Sequence, residues 1–160
     1  MRRWGIPAEI VETSDASTIC VQVAADALLT DVFVDLTGTF SPGGALEYNV
    51  AAPKRLLDTR LRVGGWTGRH GVSQVIDVLA APAGAVAVTG SLVITLPSFN
   101  AHIRAFPCGI AVPATAAVNG AAGQVVVNLA TVSLSTDQRL CLFASTSTHT
   151  IFDVAGWWTP

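Results

Sequence analysis

Apolar and polar residues alternate along most of this chain with a period of two. That spacing puts successive side chains on opposite faces of an extended strand. Residues 19–23 (ICVQV) and 30–36 (TDVFVDL) have it first. Further runs at 73–78, 86–96, 102–106, 125–134, 139–143 and 148–154 are short and rich in Val, Ile, Thr and Phe, and Gly, Pro, Asn and Ser divide them. No stretch of about twelve residues holds a 3.6 period. The pattern predicts an all-β fold, a two-sheet antiparallel β-sandwich of jelly-roll-like kind. The expected core draws on Val75, Val86, Val88, Leu92, Ile94, Val126, Leu129, Val132, Leu142, Ile151 and Val154. Residues 125–134 (VVVNLATVSL) are apolar almost throughout, which predicts a central strand covered on both faces. Asn128 in its middle then needs a partner, because a buried unpaired amide costs about 1–3 kcal/mol. Pro42, Gly43, Gly44 and Pro53 break regular structure between 41 and 53, with the linker proper at 41–50.

The pattern occurs twice. One copy runs Thr18-Ile-Cys-Val-Gln-Val, then Thr30-Asp-Val-Phe-Val-Asp-Leu-Thr-Gly-Thr-Phe40. The other runs Arg139-Leu-Cys-Leu-Phe-Ala, then His149-Thr-Ile-Phe-Asp-Val-Ala-Gly-Trp-Trp158. Cys20 aligns with Cys141, Asp35 with Asp153, Gly38 with Gly156, and Phe40 with Trp158. Each copy reads strand, turn, strand, closing on an aromatic after Asp-x-x-Gly. An Asp before such a turn accepts backbone N–H bonds, and Gly supplies a positive φ. Residues 1–40 are therefore expected to be the tail of one repeat, and 51–160 a complete one.

The stretch Ala52-Pro-Lys-Arg-Leu-Leu-Asp-Thr-Arg60 resembles the opening signature of a known domain. That domain is the RLLDTR-containing β-rich repeat of secreted and cell-surface proteins of actinobacteria and related bacteria. Phe106-Pro-Cys-Gly109, Pro113, Ala117-Val-Asn119 and Val127-Asn-Leu129 resemble its middle, and Leu140-Cys141 with Phe152-Asp-Val-Ala-Gly156 its end. The resemblance covers residues 51–158, with a partial second match over 18–40, and the RLLDTR string is its specific part. It implies an accessory domain without catalytic residues in an extracellular or cell-surface setting. It also implies a disulfide between Cys108 and Cys141. The chain departs from the family in beginning inside a repeat, so Cys20 lacks the partner its own repeat would supply.

Composition narrows the class. Hydrophobic residues make up 51% and charged residues 12%, where soluble domains carry about 25% charged. The surface must then be built mainly from Ser, Thr, Asn, Gly and Ala. Such hydrophobicity excludes intrinsic disorder, and a net charge of −2 offers no footprint for nucleic acid. Arg2 and Arg3 start like a signal peptide, but Pro7, Glu9, Glu12 and Asp15 interrupt any apolar segment after them. The expectation is a chain not exported from its own N-terminus, or a processed piece of a longer protein. Pro and Gly break both long uncharged stretches, so no membrane-spanning helix is expected. The 3 cysteines and 3 histidines show no zinc spacing. No metal and no cofactor are expected.

Arg55, Asp58 and Arg60 concentrate charge in an otherwise apolar chain. An anion site is one reading. The preferred one is an Arg–Asp network that pins the leading loop to a sheet edge, with Asp35 or Asp153 as further partners. Losing Asp58 would then strand buried arginines, at about 3–5 kcal/mol. In residues 60–70, Gly64, Gly65 and Gly68 suggest a mobile loop carrying Trp66, Arg69 and His70. Such a loop suits sugar stacking or a partner contact, against the alternative of a Trp folded back over the sandwich mouth. Trp157 and Trp158 point to opposite faces. One of them must be exposed or covered, by the N-terminal tail or by a partner. No GxSxG elbow is present, and enzymatic activity is not expected.

The leading expectation is a non-catalytic extracellular structural protein of the cell surface that assembles by β-strand addition. Residues 18–40 carry strands whose own domain is incomplete, and unpaired strands template association. The alternative is a cell-wall or glycan binding module built on Trp66, Arg69, His70 and Trp158. Expected partners are other copies of the same domain or cell-wall glycan.

Overall fold

The computed structural model describes residues 38–41 and 43–160, together with Thr18, Cys20, Val21, Val34 and Leu36. Eight strands follow in chain order among these residues: β1 (Glu47–Asp58), β2 (Val75–Leu79), β3 (Ala87–Thr95), β4 (Ala101–Pro107), β5 (Val118–Gly120), β6 (Val125–Ser133), β7 (Arg139–Ala144) and β8 (His149–Thr159). They form two four-stranded sheets, ordered β1-β8-β3-β6 and β2-β7-β4-β5. Every neighbouring pair is antiparallel. Apart from β4 and β5, which pair within the second sheet, chain neighbours alternate between the sheets, as in a jelly roll, so both inner faces contribute to one core.

That core follows from alternation. Val88, Leu92 and Ile94 of β3 point inward beside Phe152 and Val154 of β8. Ile76 and Val78 of β2, Ile103 of β4, and Leu140 and Leu142 of β7 face them from the second sheet. Each large apolar side chain removed from water contributes about 1.5–3 kcal/mol. Of the expected core, Val88, Leu92, Ile94, Leu142, Ile151 and Val154 are buried, and Val126 and Val132 are partly so. Val75, Val86 and Leu129 are exposed instead. Val75 and Leu129 occupy the outward phase of edge strands, and Val86 lies just before β3.

Two expectations need correction. Residues 125–134 do not make a central strand. Among the described residues β6 ends its sheet beyond β3, and its odd positions Val125, Val127 and Leu129 face outward. An unbroken apolar run cannot by itself distinguish a strand covered on both faces from an edge with an apolar outer face. Asn128 has its partner, donating from Nδ2 to the Ala117 carbonyl at 2.7 Å. The second correction concerns the linker, since Glu47 to Val50 already belong to β1, which continues through Pro53. A register shift between Val50 and Lys54 opposite Gly156 and Val154 forms a bulge there. An edge bulge is where a strand tolerates a residue with no N–H.

The described positions within 18–40 contrast with β7 and β8, which they match in sequence. Cys20, Val21, Val34 and Leu36 are exposed and lie outside any strand. The rest of the strands expected at 19–23 and 30–36 falls outside the described residues, as does Asp35. Phe40 reaches the sandwich, its ring 5.4 Å from that of Trp158.

Candidate functional site

The charged network lies where β1 leaves the sheet. Leu57 is fully buried opposite Phe152, and this anchor carries Asp58 into the interior, also at 0% exposure. A carboxylate there needs partners. Arg60 supplies a fork, Nε to Oδ1 at 2.9 Å and Nη2 to Oδ2 at 2.7 Å, and its backbone N–H adds a bond of 3.0 Å to Oδ1. Arg55 donates Nη1 to Asp58 Oδ2 at 3.1 Å and grips Asp153 of β8 with Nε and Nη2, at 2.8 and 2.9 Å. Two cations and two anions thus neutralise one another in planar, bidentate geometry. The hydrogen bonds from Arg60 outweigh burial and hold the Asp58 carboxyl down at about 2. The bond to Asp153 raises the Arg55 guanidinium above its ordinary value.

This network joins β1, the following turn and β8. A shallow open groove of about 300 Å³ adjoins it, lined by Pro53, Lys54, Arg55 and Asp153. Arg55 and Asp153 already neutralise each other there. The arginines are not buried as expected, because their side chains stay 40% and 39% exposed. Loss of Asp58 would release them to water, so the cost falls to about 1.5–3 kcal/mol, the scale of hydrogen bonds to a charged group.

The segment 60–70 is a bonded turn whose three named side chains do separate jobs. Asp58 and Val63 exchange backbone bonds, and the Gly68 N–H bonds to the Thr59 carbonyl at 2.9 Å. Gly64 has φ +81, and a Cβ there would meet the Leu56 carbonyl oxygen at 2.5 Å, so the position requires glycine. Trp66 is folded back on the core, and its indole N–H donates to the Asp77 carbonyl at 2.7 Å. Arg69 straps the turn to neighbouring loops by bonds to Leu96 O, Ser98 Oγ, and Ser147 O and Oγ. His70 is buried at 1% exposure. Its Nε2 lies 3.0 Å from the Gln74 carbonyl and must donate, leaving Nδ1 to accept from the Thr150 hydroxyl at 3.0 Å. Burial lowers the His70 pKa. The structure does not bring Trp66, Arg69 and His70 onto one exposed face: they face different partners, and their polar groups are engaged.

Trp158 lies against the outer side of the first sheet. Its indole N–H donates to Thr89 Oγ1 at 2.9 Å, and its ring sits 4.8 Å from that of Tyr48. Gly156 makes this packing possible, since a Cβ there would meet the Tyr48 ring at 2.5 Å. Phe40 adds the tail-side contact. On the second sheet, a disulfide joins Cys108, just after β4, to Cys141 of β7, with Cα atoms 5.0 Å apart. Asp77 and Arg139 form an ion pair on the same sheet, between β2 and β7.

Sequence reasoning missed one cluster. Arg104 lies over the Phe143 ring at 5.3 Å and donates to the Pro113 carbonyl at 2.9 Å, with His102 beside the same ring. Burial, then Arg104, lowers the His102 pKa. The only early signal was His102 and Arg104 at alternate positions of one strand. Among the described residues, no group of three His, Cys, Asp or Glu side chains is gathered for a metal ion. No helix among them is long and apolar enough to cross a membrane. No family model matches the chain, and no curated protein matches it.

Proposed function

We propose that this protein is a non-catalytic structural component of the extracellular cell surface, which joins further copies of its own domain by β-strand addition through residues 18–40. One observation carries the reading. The segment repeats the apolar pattern of β7 and β8, yet Val21, Val34, Leu36 and Phe40 are 59%, 60%, 81% and 65% exposed. Apolar side chains at strand spacing gain burial when an edge of another sheet accepts them. The Cys108–Cys141 disulfide supports an oxidising compartment. A head-to-tail contact of this kind grows into a filament unless its rotation closes a ring.

The test is light scattering after size exclusion, in oxidising buffer and over a range of concentrations. The full chain is expected to form species that grow with concentration, and deletion of residues 1–40 is expected to remove them. Equal behaviour of the two chains would overturn the reading.

A further inference from the structure

Residues 59–74 lead from β1 to β2 and are fastened to the sandwich at isolated points. Asp58 bridges to Val63 and His70 to Thr148, and among the described residues these are the segment's β-type pairings. Arg62 and Ser73 stand at φ 62 and 56, a region that strains a residue with a side chain. The segment therefore keeps its shape through the contacts that hold it down. Trp66 on the core and Arg69 across the neighbouring loops hold its middle. His70 holds its far end. Its backbone N–H donates to the Thr148 carbonyl at 2.7 Å, and its own carbonyl accepts from the Thr148 N–H at 3.0 Å. Its ring bridges the Gln74 carbonyl and the Thr150 hydroxyl as donor and acceptor at once, which requires the neutral form.

A second proton on that ring would sit on Nδ1 and face Thr150. The Thr150 hydroxyl, buried at 0% exposure, would then have to turn its own proton away from the ring that now accepts it. Among the described residues no carboxylate bonds the ring. The charged and titratable groups on the elements packed around it are Asp58, Arg60, Arg69, Asp77 and His149. Asp58 is held by Arg55 and Arg60, and Asp77 by Arg139. Arg69 is bonded to Leu96, Ser98 and Ser147, and His149 Nδ1 lies 3.1 Å from Thr59 Oγ1. Burial without a counter-charge keeps the ring neutral. We propose that His70 is a proton-operated latch: its protonation releases residues 60–73 from β8 and lifts Trp66 off the core while both sheets stay folded. Opening gives the charged ring to water. The latch acts within one chain and does not depend on residues 18–40.

Amide hydrogen exchange of the full chain tests it, with each rate divided by the unstructured-chain rate at the same pH. The amides at positions 68 and 70 report on the latch, and those of Leu92 and Ile94 in β3 on the sheets. At neutral pH the first pair is expected to open more often than the second. From about pH 8 to about pH 5 that opening is expected to rise about tenfold or more, toward a limit of about thirtyfold set by an ordinary histidine value of about 6.5 in the open form. Asp58 titrates well below this range. His70→Gln keeps a donor and an acceptor without titrating and is expected to abolish the rise, while His149→Gln is expected to retain it. Latch amides that open as rarely as those of β3 would overturn the inference. So would a smaller rise in the parent, a reading that needs no variant to fold, or a rise that persists in His70→Gln.

Discussion

Residues 18–40 and β7–β8 share a sequence pattern, and the described positions of the first differ in exposure from their matches in the second. Cys141 is 8% exposed and bonded to Cys108, while Cys20 is an exposed thiol. Phe152 and Val154 are 0% and 5% exposed, whereas Val34 and Leu36, which align with them, are 60% and 81% exposed. Alternation makes a segment able to be a strand. Neighbours make it one, and β8 has β1 on one side and β3 on the other. In β8 the apolar side chains of this motif are core because strands on both sides place them over the second sheet.

The sharpest way to break the comparison is to truncate matched positions. Phe152→Ala should cost about 3–5 kcal/mol as a core cavity, read by urea unfolding. Loss of the disulfide comes next. Closing a loop with a sequence separation of 33 is worth about 4 kcal/mol in the chain-entropy account. Cys108→Ser should lower stability on that scale, and thiol labelling of the folded parent should find Cys20 alone. Asp58→Asn should follow at about 1.5–3 kcal/mol.

Acid gives a graded version of the same test. The Asp58 carboxyl is lowered from 3.8 to about 2, so its stabilisation is present above the higher value and is lost as pH falls toward the lower. The loss is on the order of 2 kcal/mol. His70 acts earlier. Its lowered pKa favours the neutral ring, so its contribution is complete above about 6.5 and declines as pH falls below that. Unfolding followed from pH 7 downward should show both declines, and His70→Gln should flatten the first. The smallest effect closes the series, since Val34→Ala should change stability by less than about 0.5 kcal/mol.

The sheets were legible because inward residues recur every second position, and the observed bounds of β3, β4, β7 and β8 overlap the runs that alternation marks. The edge position of β6 was not, because a Val-rich run has no phase that shows which face meets water. β1 escaped because Pro53 and the glycines before it read as breaks, while the bulge that tolerates Pro53 depends on β8. Leu57, at the centre of the core, was overlooked inside a string notable for its charges. The bonds of Trp66, Arg69 and His70 reach residues up to 80 positions away, and no local pattern encodes them. Asp153 was named as a partner for the arginines, and geometry decides how: Arg55 reaches it across the β1–β8 pair, while Arg60 turns back on Asp58.

The pairing of Glu47 with Thr159 places the two ends of the sandwich side by side, on adjacent antiparallel strands. Tension applied through those ends would not stretch the fold along its length. It would peel β1 from β8 one bond at a time, starting with Tyr48 and Trp158, and the first strong resistance would come at the Arg55–Asp153 clasp. Pulled from those ends, such a domain behaves as a side-mounted bead that adds little length along the line of force, with a charged latch setting the force at which it opens.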